Sequence, residues 1–302
     1  MCGIVGLFFK NQSLEKDLGH HLRPMLLEMS ERGPDSAGIA VYRNGVASDE
    51  AKLTLFHGDP SFAWEALEVA MRRDLQTEVR HRVEASHAVF TISAAPERAL
   101  AWLRDHQPTV RVMAAGHRIE VYKDVGMPKK VADEFGLAKM DGSHGIGHTR
   151  MATECGITTV HSHPFWAGLD LCLVHNGTIS NHHSMRQWLQ RHDMSFASDN
   201  DSEVAAKYLA YRLGQGATLN EALEAGLKDL DGFYTFCVGT EDGFAVLRDP
   251  VACKPAVIAE TDDWVAMASE YRSLAKLPGI DKASVWEPRP ATIYAWHREG
   301  RA

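Results

Sequence analysis

The sequence predicts a layered α+β fold, with short strands and helices in separate blocks rather than alternating βαβ units. Three observations lead there. The C-terminal third carries five strand-like apolar runs, at residues 233–239, 244–249, 256–260, 264–268 and 292–296. Helical patterns cluster instead, near 182–191, at 202–213, and from Thr218, where Glu221 three residues on completes a capping box. The chain opens on an apolar run at 3–9, followed by a helical face of Leu14, Leu18, Leu22, Leu26 and Met29, with Ser13 as the expected cap.

The remaining elements follow in order. Arg32-Gly33-Pro34-Asp35 breaks the first helix and 38–42 reads as a strand. Asn44-Gly45 is a tight-turn signal, which predicts a hairpin to a partner strand near 52–56. Residues 57–142 are richer in charge, with helices at 62–73 and 97–106 and strands at 88–93, 110–115 and 119–122. They read as a small α+β insertion within one domain spanning 2–302. The strand pattern then resumes at 145–149 and 171–175.

Composition narrows the function classes. A net charge of -8 argues against non-specific nucleic-acid binding, which needs a basic face. There is no apolar run of roughly 20 residues to span a membrane, and no basic, apolar leader at the start. Five cysteines without regular spacing read as reduced thiols. A cytoplasmic protein is expected. The glycines form neither GxGxxG nor a P-loop, so no nucleotide cofactor is expected. His161, His163, His175, His182 and His183 lack the spacing of a zinc site, so no metal is expected either.

Cys2 carries the chemistry. If Met1 is removed, the chain begins with a thiol and an α-amine on one residue. The amine, with a pKa of about 7.8, is a base near neutrality and needs no histidine partner. Taken alone, a second-position cysteine is more often a small buried hydrophobe than a nucleophile.

The motifs that follow extend the pattern. Cys2-Gly3-Ile4-Val5-Gly6, Arg32-Gly33-Pro34-Asp35-Ser36-Ala37-Gly38, Gly147-His148-Thr149-Arg150-Met151-Ala152-Thr153, His161-Ser162-His163-Pro164, Val174-His175-Asn176-Gly177 and Asp201-Ser202-Glu203-Val204 occur in that order. Asp231-Gly232-Phe233, Arg248-Asp249-Pro250, Lys254-Pro255 and Ala268-Ser269-Glu270 complete it. This series resembles the class II glutamine amidotransferases of the N-terminal-nucleophile hydrolase superfamily. The resemblance implies a four-layer αββα sandwich with Cys2 as nucleophile at a strand start. It implies that Asn176 and Gly177, delivered by the end of the 171–175 strand, form the oxyanion hole. Arg150 is implied as the clamp for the α-carboxylate of glutamine, and Asp201 as the partner of its α-ammonium. Thr153, His163 and Arg32 complete the implied substrate site, Arg32 lying close to the nucleophile. An Arg suits the carboxylate because its guanidinium binds bidentately. Met151, Glu154 and Cys155 depart from the family pattern in the loop that covers glutamine.

The chain is most similar to free-standing amidotransferase subunits of glutamate-synthase-like complexes, such as N-methylglutamate synthase. That likeness implies a separate synthase subunit as the consumer of ammonia. A catalytically silent scaffold and an independent N-terminal-nucleophile amide hydrolase are the alternatives.

Overall fold

The structure, a computed structural model, describes residues 2–152 and 156–298. A seven-stranded sheet runs in the order β15 (Ser284–Trp286), β13 (Val257–Glu260), β14 (Trp264–Ala268), β1 (Gly3–Phe9), β8 (His144–Arg150), β2 (Ser36–Tyr42) and β7 (Ile119–Val125). A five-stranded sheet packs on it, ordered β16 (Ile293–His297), β12 (Gly243–Arg248), β11 (Gly232–Gly239), β10 (Leu171–Ile179) and β9 (Phe165–Gly168). All recorded pairings are antiparallel.

Alternation along each strand builds the layers. Val5, Leu7 and Phe9 face α1 (Leu18–Glu28) and α4 (Pro128–Glu134), forming the outer core with Leu22, Leu26 and Val131. Ile4 and Phe8 point the other way, into the layer between the sheets, with Ile146, Cys172, Val174 and Cys237. Leu171, Leu173, Phe236 and Val238 face α5 (His182–Gln190), α6 (Asp201–Gly214) and α7 (Leu219–Asp229). The result is the expected αββα sandwich.

A four-stranded sheet stands apart, ordered β4 (Val79–Glu84), β5 (His87–Ile92), β3 (Ala51–Phe56) and β6 (Arg111–Gly116). It shares its own core with α2 (Trp64–Leu75) and α3 (Pro96–His106) through Leu53, Phe90, Met71 and Leu103. This small unit covers residues 51–116. β7 and α4, both inside the segment expected at 57–142, belong to the main sandwich instead. Glu120 on β7 ties the two bodies together: its buried carboxylate meets Lys52 Nζ of β3 at 3.2 Å and Arg82 Nη2 of β4 at 2.5 Å.

Two sequence expectations are corrected. Asn44-Gly45 does not close a hairpin: neither residue takes the positive φ that a tight two-residue turn needs, and β2 is flanked by β7 and β8 while β3 pairs with β5 and β6. Ser13 is not the helix cap. Asn11 is, its side chain accepting from Ser13 N ahead of a short 3-10 turn that leads into α1. The capping box of Thr218 and Glu221 forms as expected.

Candidate active site

The sheet register brings the predicted residues toward one end of the sandwich. Cys2 precedes β1, whose Gly3 pairs with Thr149, so Cys2 lies beside the end of β8 where Arg150 stands. Its Sγ is 3.8 Å from the carbonyl oxygen of Met151. Continuing the alternation of Ile4, Ile146 and Val174 points Cys2, Arg150 and Asn176 into the same layer between the sheets.

Arg32 holds the cysteine from behind. Its Nε donates to the main-chain oxygen of Cys2 at 2.9 Å, and its Nη1 pairs with Glu270 at 2.6 Å. Ser269, one residue earlier, accepts from Ile4 N at 2.9 Å through its Oγ. The Arg32–Asp35 turn reaches this place because Gly33 lies against β8: a Cβ there would meet Thr149 C at 2.3 Å. Asp35 fixes the strand's exit, accepting from Ala152 N at 2.8 Å and donating its own N–H to Arg150 O at 3.1 Å. The Arg150 side chain is 5% exposed and donates from Nη1 to Gly156 O at 3.1 Å.

Asn176 and Gly177 do not sit at a strand end, as the sequence predicted; β10 runs on to Ile179, with Gly177 opposite Tyr234. The reason is Gly177 itself, at φ +143, where a Cβ would strike Phe233 O at 1.8 Å; only glycine lets β11 approach and the ladder continue. Tyr234 gives both its main-chain groups to Asp249, on the β12 side. Its partner Gly177 therefore turns its N–H away from β11, toward the edge that β9 leaves open after Leu173. Two residues on, Ile179 N–H faces the same edge and donates to Asp201 Oδ2 at 2.9 Å. The Nδ2 of Asn176 is buried and has no partner among the described residues.

Behind this edge lies a histidine layer in which His163, expected in the substrate site, is joined by His148 and His175, to which the sequence assigned no role. His148 Nε2–H donates to the carbonyl oxygen of His175, 3.0 Å away, pinning β8 to β10 one residue before Asn176. His163, 5% exposed, stacks on His148 at 3.9 Å, and its Nε2 lies 3.1 Å from Ser202 Oγ. His175 Nδ1 meets the same hydroxyl at 2.8 Å. Burial drives the pKa of His148 down to about 3 and that of His163 well below 6.5. His175 is also lowered by burial, with Asp201 opposing the shift. The imidazoles are thus neutral, and Ser202 links them to Asp201 at the head of α6. His163 contacts Ser202, His148 and Phe165. Thr153, with Glu154 and Cys155, lies outside the described residues.

Comparison with known proteins identifies the family. A family model described as "Glutamine amidotransferase domain" matches residues 148–276. The chain is 50% identical over its full length to the "Glutamine amidotransferase-like protein GlxB" of Rhizobium meliloti, and covers 100% of it. It belongs to the class II glutamine amidotransferase family. A Methanothermobacter thermautotrophicus homologue, assigned provisionally by its name to the glutamine amidotransferases, is 32% identical over 97% of this chain and 99% of its own. Among solved structures, the Bacillus subtilis glutamine phosphoribosylpyrophosphate amidotransferase superposes with a TM-score of 0.62 at 20% identity. It covers 99% of the amidotransferase chain, which spans 48% of that enzyme, and at this identity the likeness concerns the fold. Among the described residues, no helix is long and apolar enough to cross a membrane.

Proposed function

We propose that this amidotransferase hydrolyses the side-chain amide of glutamine with Cys2 as nucleophile and passes the ammonia to a separate synthase subunit in the cytoplasm. The observation that carries the reading is the buried Asn176 Nδ2, without a partner among the described residues, on the layer that Cys2 and Arg150 also face. A buried amide donor without an acceptor costs about 1–3 kcal/mol, and an oxyanion formed in front of it recovers that cost.

Removal of Met1 frees the α-amine of Cys2, which takes the thiol proton. The thiolate attacks the amide carbon, and the charge that develops on oxygen meets Asn176 Nδ2 and Gly177 N–H. The carbon–nitrogen bond breaks as the ammonium of Cys2 returns the proton to nitrogen, and ammonia leaves. Water then adds to the γ-glutamyl thioester, restoring the thiol and releasing glutamate. Arg150 clamps the α-carboxylate and Asp201 the α-ammonium, its Oδ2 already oriented by Ile179 N–H. Arg32 positions Cys2 through its carbonyl, and His163 acts on Asp201 through Ser202 rather than on glutamine. Thr153 stays in the substrate site on the strength of its motif alone. The small unit at 51–116 is read as an insertion in the amidotransferase domain.

The finer reading, from sequence resemblance, is a partner of the glutamate-synthase type, as in N-methylglutamate synthase. Co-purification from the native host identifies that partner. For the chemistry, the protein's intact mass is expected to lack the initiator methionine, glutamine is expected to yield ammonia, and Cys2→Ala is expected to lose the turnover. A retained Met1, or undiminished turnover in Cys2→Ala, ends the reading.

A further inference from the structure

A cavity of about 370 Å³ lies behind the site, between the small unit and α6, and Cys2 is not among its lining residues. Its size falls at the small end of ordinary ligand pockets. One wall comes from the small unit, with Leu100, Leu103, Val110 and Val112 forming an apolar face and Arg104 and Arg111 beside it. The facing wall brings Lys123, Lys207 and Glu203, beside Trp166 and Phe196.

The charges there are unequally satisfied. Glu203 is spent: its two oxygens accept from Ala197 N at 2.8 Å, Ser198 N at 2.7 Å and Ser198 Oγ at 2.7 Å, closing the 195–198 loop. Lys123, fully buried on β7, directs its ammonium at the carbonyls of Ser162 at 2.7 Å, Pro164 at 3.0 Å and Val160 at 3.5 Å. Lys207 differs. Its ammonium sits 5.4 Å from the Trp166 ring and makes no hydrogen bond or ion pair among the described residues. Burial lowers its pKa, with the charge of Glu203 opposing the shift. A partly buried cation with three unused protons is costly unless an anion meets it. Lys123, Lys207, Arg104 and Arg111 line the cavity against the single carboxylate of Glu203, and among the described residues only Arg104 has a carboxylate of its own, Asp105 at 2.9 Å, so the lining is net positive.

We propose that this cavity binds a small organic acid, one carboxylate meeting Lys207 and an apolar body lying against the Leu100–Leu103 face. The net positive lining selects an anion, and the apolar part of the wall favours a carboxylate with a hydrocarbon body over a bare inorganic ion. Lys123 supplies field rather than a contact, since its protons already face the three carbonyls. The site is separate from the glutamine site and does not depend on the glutaminase reading.

Hexanoate and benzoate are suitable probes, with inorganic phosphate as the contrasting anion, titrated into the full-length protein by calorimetry. Saturable binding of a carboxylate probe is expected, weakened roughly tenfold or more by Lys207→Met. Leu100→Trp, which fills the cavity from the opposite wall, is expected to abolish binding at an unchanged unfolding midpoint. Absence of saturable binding by both carboxylates overturns the proposal, as does binding indifferent to both substitutions. Phosphate binding as tightly as the carboxylates overturns the assigned ligand class.

Discussion

At the scale of single residues, the proposed function divides the site into groups that grip glutamine and one that stabilises charge, and on that reading the two kinds fail differently. Arg150 is buried at the end of β8, where a bidentate guanidinium fits a carboxylate and an ammonium offers only one point of contact. Arg150→Lys is therefore expected to raise KM for glutamine about 10–100-fold with a smaller change in kcat, since a charged hydrogen bond is worth about 1.5–3 kcal/mol. On the proposed mechanism, Asn176→Ala removes a donor used only as the oxyanion forms. It is expected to lower kcat about 10²–10³-fold at nearly constant KM. Steady-state ammonia release from both variants checks the split; a KM effect in Asn176→Ala with kcat intact contradicts the oxyanion role. These residue types were legible because each motif pairs a side chain with a chemical need. The histidine layer was not, because His148, His163 and His175 meet only when three separate strands and loops are stacked.

At the scale of elements, what is local in sequence was readable and what is settled by pairing was not. The strand at Gly3–Phe9, the one at Trp264–Ala268 and the capped helix after Thr218 follow from periodicity and side-chain capping within a few residues. The partner of β3, the continuation of β10 through Gly177, and the short strands β4, β9 and β15 depend on neighbours far along the chain. β4 reads Val-Arg-His-Arg-Val-Glu, a charged run, and becomes a strand by pairing with β5, while its Arg82 reaches Glu120 on β7. That junction is where the small unit is most exposed to change. Burial alone would push the Glu120 carboxyl up, but Lys52, Arg82 and Arg43 outweigh it and hold it low. Glu120→Gln leaves Lys52 buried against a neutral amide. We expect it to cost about 3–5 kcal/mol, with faster hydrogen exchange in 51–116 than in the sandwich. Unchanged thermal unfolding together with uniform exchange contradicts the role of Glu120 as the tie.

At the scale of the whole molecule, neutral histidines are built into the interfaces between layers. His144 stacks on Tyr42 at 4.0 Å between the two large sheets, and His148 stacks on His163 farther along the same layer. His87, fully buried on β5, packs edge-on against Phe135 beside α4, where the small unit meets the sandwich. Burial lowers the pKa of His87, His144 and His148 to about 3 from an ordinary 6.5. Above 6.5 neither the folded nor the unfolded chain protonates them, so they contribute no pH dependence. Between 6.5 and about 3 the unfolded chain binds protons that the folded chain refuses, so stability falls as pH falls, by on the order of 1 kcal/mol per pH unit for each histidine. Glu120, held low, adds its loss only in a more acidic window, below the ordinary carboxylate range. Calorimetric unfolding midpoints are therefore expected to be level from pH 7.5 to about 6.5 and to drop steadily from there to pH 5. His144→Gln, which keeps a polar group near Ser143 and Thr240, is expected to flatten that drop by one histidine's share. A midpoint independent of pH across 7.5 to 5 contradicts the neutral, buried state of these rings, and with it the packing of the histidine layer behind Asn176.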